Sequence, residues 1–121
     1  MINRKILLTS LLLIFTVLSA CSREKNTCRV VKISDGDTLT CLTKGNKSIK
    51  VRLAEIDAPE KSQAFGQKSK KTLSDLVYQK NVRLARKGKD RYQRTLAVVY
   101  YQKQNINLEM VKQGMAWAYK Q

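Results

Sequence analysis

Histidine is absent from this 121-residue chain, proline and tryptophan occur once each, and nine Asp and Glu face 24 Lys and Arg. Without histidine there is no Ser-His-Asp triad, no Cys-His pair and no His-ligated zinc. Hydrolysis, if any, is left to carboxylates, Arg, Lys, Tyr or a metal held through oxygen. The formal net charge of +15 points to a polyanionic partner, either nucleic acid or an anionic membrane surface. The length allows one small domain. The 43% hydrophobic content is ordinary, but part of it is concentrated in one N-terminal run.

That run has the layout of an export signal: Arg4 and Lys5, an apolar stretch Ile6–Leu18, then Leu18-Ser19-Ala20-Cys21. It is short for a membrane span of about 20 residues, although an uncleaved anchor helix is the competing reading. The ending resembles the lipobox of bacterial lipoproteins, which implies cleavage before Cys21 and lipid on its sulfur. Leu18 fits poorly to the small-x-small site of ordinary signal peptidase. Residues 1–20 are therefore expected to be a lipoprotein signal peptide, 21–27 a lipidated tether and 28–121 the folded domain. The expected location is a bacterial membrane, facing the periplasm or the cell exterior. Ser22 after the cysteine is compatible with outer-membrane sorting in a Gram-negative host. Two further cysteines, Cys28 and Cys41, flank a hairpin pattern. An oxidising compartment favours a disulfide between them, worth about 2–3 kcal/mol; two free thiols are the alternative.

Alternation marks strands over 28–33, 38–42 and 49–56, with turns at Ser34-Asp35-Gly36-Asp37 and Lys44-Gly45-Asn46-Lys47. Pro59 stops the third. Residues 63–79 switch to helical spacing, with Phe65, Leu73, Leu76 and Val77 on one face and Lys68, Lys70 and Lys71 away from it. A fourth strand is expected over 81–84, a charged loop over 86–94 and a fifth strand over 95–101. Asn107 reads as the N-cap of a short helix and Gly114 as its C′ residue. Three strands, a helix, two strands and a short helix is the order of a five-stranded OB-fold barrel, a mainly β fold with helices (α+β).

Five of the nine acids fall between Asp35 and Glu60: Asp35, Asp37, Glu55, Asp57 and Glu60. If their strands are neighbours, the carboxylates repel unless a cation or a shared proton intervenes. Oxygen-only ligands suit a hard ion such as Ca²⁺ or Mg²⁺. Taken singly, Asp35-Gly36-Asp37 is a tight turn and Asp57-Ala58-Pro59-Glu60 a strand end.

Taken together, Ser34–Thr38, Val51–Glu60 and Asp90–Ala97 closely resemble the three signature blocks of the staphylococcal nuclease (thermonuclease) family, and 107–119 is similar to its next helix and turn. The resemblance covers about residues 28–119. It implies that Asp37, Asp57 and the backbone carbonyl of Ala58 bind Ca²⁺, with Asp35 in the outer shell. It implies that Glu60 is the general base and that Arg52 and Arg94 hold the scissile phosphate. Tyr92 corresponds to a nucleotide-contacting tyrosine, and Lys89 and Arg91 are expected to bind nucleic acid beside it. Ala58 stands where relatives often have Thr, and Gln93 where glycine is common. The implied activity is Ca²⁺-dependent endonucleolytic cleavage of DNA and RNA, single- or double-stranded, with little sequence specificity, by a monomer tethered through Cys21.

The chemistry agrees with those assignments. An anionic phosphodiester resists attack until a divalent ion and guanidinium groups neutralise the growing charge, and Arg does this with a planar fork that Lys lacks. Without the resemblance, the better reading is Arg52 as an ion-pair partner of Glu60 and Arg94 as a solvated loop charge. Lys44, Lys47, Lys50, Lys68, Lys70, Lys71, Arg86, Lys87 and Lys103 extend the positive field. The alternatives are a non-catalytic OB-fold lipoprotein that binds nucleic acid, and a lipoprotein whose basic face binds anionic lipid. The family continues past the position of Tyr119 into a further helix, whereas this sequence ends at Gln121. Either the disulfide compensates, or the domain is marginal, or the sequence is a truncated member; stability is expected to depend on both the disulfide and bound Ca²⁺.

Overall fold

The computed structural model describes residues 26–119; the export signal, Cys21 and most of the tether lie outside them. Its elements are β1 (Thr27–Asp35), β2 (Thr38–Leu42), β3 (Ser48–Leu53), β4 (Ile56–Asp57), α1 (Gly66–Val77), β5 (Asn81–Lys89), β6 (Thr95–Tyr101), β7 (Gln104–Asn105), α2 (Ile106–Lys112) and β8 (Trp117–Ala118). The strands run β3-β2-β1-β5-β6-β7. A parallel pairing of Val51–Leu53 with Thr95–Ala97 joins β3 to β6. β1, β2, β3, β5 and β6 thus close a barrel of OB type, with β7 added at its edge. Among the described residues no helix is long and apolar enough to cross a membrane.

The barrel forms because each strand turns a set of apolar side chains inward, in alternation where its register is regular. Val30, Leu39, Cys41, Val51, Leu53, Leu84, Ala97 and Val99 are buried inside it, and Leu73 and Val77 of α1 and Ile106 and Met110 of α2 pack on the same core. Burying a side chain of this size stabilises by about 1.5–3 kcal/mol. Cys28 and Cys41 are joined in a disulfide with their Cα atoms 5.6 Å apart, tying β1 to β2.

Several expectations need correction. The third strand does not run unbroken to Ile56. It turns at Ala54-Glu55, where Glu55 takes φ 63° and the Ala54 N–H donates to the Ala97 carbonyl (2.9 Å). The chain then resumes as β4, paired with β8. The charged stretch 86–89 is not loop. It continues β5 opposite β6, with a bulge between Arg86 and Gly88, because cross-strand hydrogen bonds need no apolar side chains on an exposed face. Helix α1 starts at Gly66, and Phe65 caps it in the left-handed region, 70% exposed. Phe65 therefore leaves the apolar face, which is made by Gly66, Ser69, Leu73 and Val77.

The N-cap of α2 is Asn105, whose side chain accepts from the Leu108 N–H (3.0 Å). Asn107 has another task. Its buried amide donates to the carbonyls of Ala54 (3.0 Å) and Ala97 (3.2 Å) and accepts from the Val99 N–H (3.0 Å). Gly114 follows the C-cap Gln113 with φ 73°, as a C′ glycine does.

Candidate active site

The β1–β2 turn and the strand β4 bring the acids together. Gly36 is required there by close approach rather than by a left-handed turn. Ser69 of α1 lies against it, and a Cβ at Gly36 would collide with the Ser69 hydroxyl. That hydroxyl is itself fixed, donating to the Met115 carbonyl (2.7 Å). Asp37 is thereby buried beneath the turn. Its Oδ2 accepts from the Ala58 N–H (2.9 Å), which also donates to Asp57 Oδ1 (3.1 Å). Asp35 accepts from the Lys61 N–H (3.3 Å) at the same rim.

Arg52 of β3 sits beside both acids, not beside Glu60. Its Nη2 lies 3.4 Å from Asp37 Oδ2 and 3.3 Å from Asp57 Oδ1. Its Nη1 donates to the carbonyls of Leu53 (2.8 Å) and Ile56 (2.9 Å), closing the β3–β4 turn. Burial, then the hydrogen bond and negative charge of Asp37, push the Asp57 carboxyl up, against the opposing pull of Arg52 and the Ala58 N–H. One guanidinium does not fully compensate the pair.

This crowding is what a bound cation relieves, and the donors are hard oxygens. The chain has no histidine, and among the described residues both cysteines are tied in the disulfide, so oxygen is the chemistry on offer there. Asp37 and Asp57 offer carboxylate oxygens that fit such an ion, while the Ala58 N–H is spent on both of them. Among the described residues no three His, Cys, Asp or Glu side chains converge closely enough to hold a metal.

Next to the acids, Lys50, Glu60, Tyr92 and Arg94 line an open cleft of about 410 Å³. Glu60 is exposed and its segment is set by a turn, with the Gln63 N–H donating to the Glu60 carbonyl (2.8 Å) and the Glu60 N–H to Gln63 Oε1 (2.8 Å). Gly66 abuts the same Glu60 carbonyl, leaving no room for a side chain.

Arg94 and Tyr92 are placed by Asp90. Its Oδ1 accepts from the N–H groups of Tyr92 (2.9 Å) and Arg94 (2.9 Å), and its Oδ2 from Arg94 Nε (2.6 Å). Burial raises the Asp90 carboxyl, but the hydrogen bonds of Arg94 and Tyr92 and the Arg94 charge outweigh it and hold the group below its ordinary value. Arg91 donates to the Tyr92 hydroxyl (2.7 Å). The guanidinium carbons of Arg91 and Arg94 lie 4.8 and 5.3 Å from the Tyr92 ring centroid.

Two residues of the site carry roles that sequence reasoning did not assign. Asp90 organises the loop, and its signal is an Asp opening a short turn that ends in Arg94. Lys50 lines the cleft; its signal is the alternation of β3, which places it on the same strand face as Arg52. Lys89, exposed at the end of β5, does not line the cleft.

The sequence profile described as staphylococcal nuclease homologue matches residues 50–121. The chain is 48% identical over 100 residues to a micrococcal nuclease of Shigella flexneri, an alignment covering 75% of this chain and 57% of that protein. It is 42% identical over 94 residues to an uncharacterized endonuclease of Escherichia coli O157:H7, covering 77% and 61%. It is 31% identical over 103 residues to a thermonuclease of Staphylococcus hyicus, covering 78% and 60%. The chain thus spans somewhat more than half the length of these relatives. The closed five-stranded barrel, together with these matches, places the chain in the staphylococcal nuclease family.

Proposed function

We propose that the protein is a Ca²⁺-dependent nuclease that hydrolyses phosphodiester bonds of DNA and RNA with little sequence preference, held at a bacterial membrane by lipid on Cys21. The observation that carries the reading is the cleft lined by Glu60, Tyr92, Arg94 and Lys50 beside the Asp37–Arg52–Asp57 cluster. Each group has a use there. Arg94 presents a fixed guanidinium to a phosphate in the cleft, and Arg52 adds a second beside the acids. Tyr92, 63% exposed and flanked by two arginines, gives a nucleobase or sugar a face to rest on.

Glu60 takes the proton of the attacking water. The water oxygen forms the new bond to phosphorus, the bond to the leaving oxygen breaks, and that oxygen takes up a proton from solvent. A Ca²⁺ held by Asp37, Asp57 and the Ala58 carbonyl would supply positive charge where the phosphoryl oxygens gain negative charge. The names of the relatives support a nuclease; the acid pair supports the ion; the sequence around Cys21 supports the lipid.

The test is digestion of plasmid and of RNA by purified protein, with Ca²⁺ and with chelator, at neutral and alkaline pH. Cleavage in Ca²⁺ alone is expected. Folded protein that retains oligonucleotide binding and leaves both substrates intact would make it a binding module instead. For the anchor, radiolabelled fatty acid on the wild type and its loss in Cys21→Ser is the expected pattern.

A further inference from the structure

A second groove, of about 500 Å³, lies between β1 and α1, lined by Val31, Lys32, Ile33, Gln67, Lys70, Lys71, Ser74 and Tyr78. We infer that this groove is a second binding site for a nucleic-acid strand, taking the phosphates and a base of the segment that extends beyond the cleft. The inference rests on the nuclease reading for its substrate, but not for its geometry.

The groove is built by an irregularity in β1. The pairing of β1 with β2 shifts register between Val30 and Lys32, so the consecutive residues Val31 and Lys32 are both exposed where regular alternation would bury one. The far wall is fixed to the same point. Beyond α1, the Gln79 N–H donates to the Val30 carbonyl (2.9 Å) and the Val30 N–H to the Lys80 carbonyl (3.0 Å). Tyr78, 44% exposed, is thereby held beside Val31, 39% exposed. At the near end, Gln67 Nε2 donates to the Lys61 carbonyl (3.1 Å), and the Lys61 N–H donates to Asp35 (3.3 Å) at the rim of the acid cluster. The groove is therefore joined at one end, through Lys61, to the rim of the acid cluster and runs from there to Tyr78.

Its chemistry is cationic with an aromatic patch. No acid lines it. Lys71 is paired with Asp75 across one helical turn (2.8 Å), which leaves Lys32 and Lys70 as the stronger phosphate partners. Cations beside an exposed aromatic ring are what a flexible strand needs: charge for the backbone and a face for a base. A flat lipid surface would use the lysines but would gain little from a ring set in a groove.

The test compares wild type with Lys32→Ala/Lys70→Ala and with Tyr78→Ala, all three positions being exposed or half-buried. Binding of a labelled 20-nucleotide oligothymidylate is followed by anisotropy in chelator over a salt series. Hydrolysis of a thymidine nitrophenyl phosphodiester is followed in Ca²⁺. The double variant is expected to bind the 20-mer at least about tenfold more weakly, with its salt slope reduced by about 1.4, two phosphates' worth for a single strand. Hydrolysis of the small substrate is expected to be unchanged, because it ends within the cleft. Tyr78→Ala is expected to weaken binding without changing the slope. Unchanged 20-mer binding in all variants overturns the inference. So does loss of binding to phosphatidylglycerol vesicles with oligonucleotide binding intact, which would give the groove to a membrane. If wild type binds the 20-mer through these residues yet cleaves nothing, the groove stands and the nuclease reading falls.

Discussion

A single nitrogen of Arg52 serves both Asp37, at 3.4 Å, and Asp57, at 3.3 Å, while the other end of its fork holds two carbonyls of the turn that carries Asp57. The residue is at once a charge partner and a mechanical clamp. Arg52→Lys keeps the charge but cannot span both sets of acceptors. We expect turnover to fall by a factor on the order of 10² or more in Arg52→Lys and Arg52→Ala. The Asp57 carboxyl should rise further in Arg52→Ala, since Arg52 is one of the two groups pulling it down. Steady-state rates with Ca²⁺ and carboxyl titration by NMR check the two halves.

Glu60→Gln and Arg94→Ala are each expected to lower turnover by about 10² or more with the fold intact, as for groups that act on the transition state. Melting curves that match wild type, beside rates that do not, are the required pairing. Variants cutting at wild-type rates would remove either residue from the mechanism.

The Asp90–Arg94 pair predicts a pH dependence. The folded protein holds Asp90 below its ordinary value, so the contribution of this group is present in full above about pH 4, the unfolded value. It is lost as the pH falls through the folded value. In Asp90→Asn that part of the stability profile should disappear, and turnover should drop because Arg94 is no longer held. Thermal unfolding across pH 2 to 6, with rates at neutral pH, measures both.

Gln93 stands with φ 66° in the turn that carries Tyr92 and Arg94. A side chain there costs about 1 kcal/mol, and glycine adopts the conformation freely. Gln93→Gly is expected to leave the melting temperature unchanged or slightly raised, with activity retained. A clear loss of stability would mean that the glutamine side chain makes a contact worth more than the strain.

Oxidation and Ca²⁺ should both register in the melting temperature. The disulfide restrains the unfolded chain between Cys28 and Cys41, worth about 2–3 kcal/mol. An ion on Asp37 and Asp57 would bind only the folded form. Unfolding of oxidised and reduced protein, each with Ca²⁺ and with chelator, is expected to give four distinct midpoints. One common midpoint would show that neither contributes.

Much of this was legible in the sequence where side chain and backbone agree. β2 and β6, rich in Thr, Leu, Val and Tyr, lie where their strand-forming composition puts them. Residues 86–89 were hidden because strand pairing there is carried by backbone while the exposed side chains are charged or absent. Asn107 was misread because an asparagine near a helix start resembles a cap, and only the fold shows Ala54, Ala97 and Val99 within its reach. The acids of the site were visible as a cluster, whereas the choice of Arg52's partners depended on the turn after Leu53. Asp90 drew no role because its partners are mostly backbone N–H groups, which leave no mark in composition.

The parallel pairing of Val51–Leu53 with Thr95–Ala97 has a consequence for how the molecule assembles. β1, β2 and β3 can zip as neighbours, and so can β5 and β6, but the ring shuts only when distant segments meet. Such non-local closure slows folding relative to local hairpins. Until residues 95–97 pair with it, β3 is an open edge, and an open edge invites pairing with another chain. Lys50 and Arg52 place like charges along that edge, which disfavours pairing with a second copy.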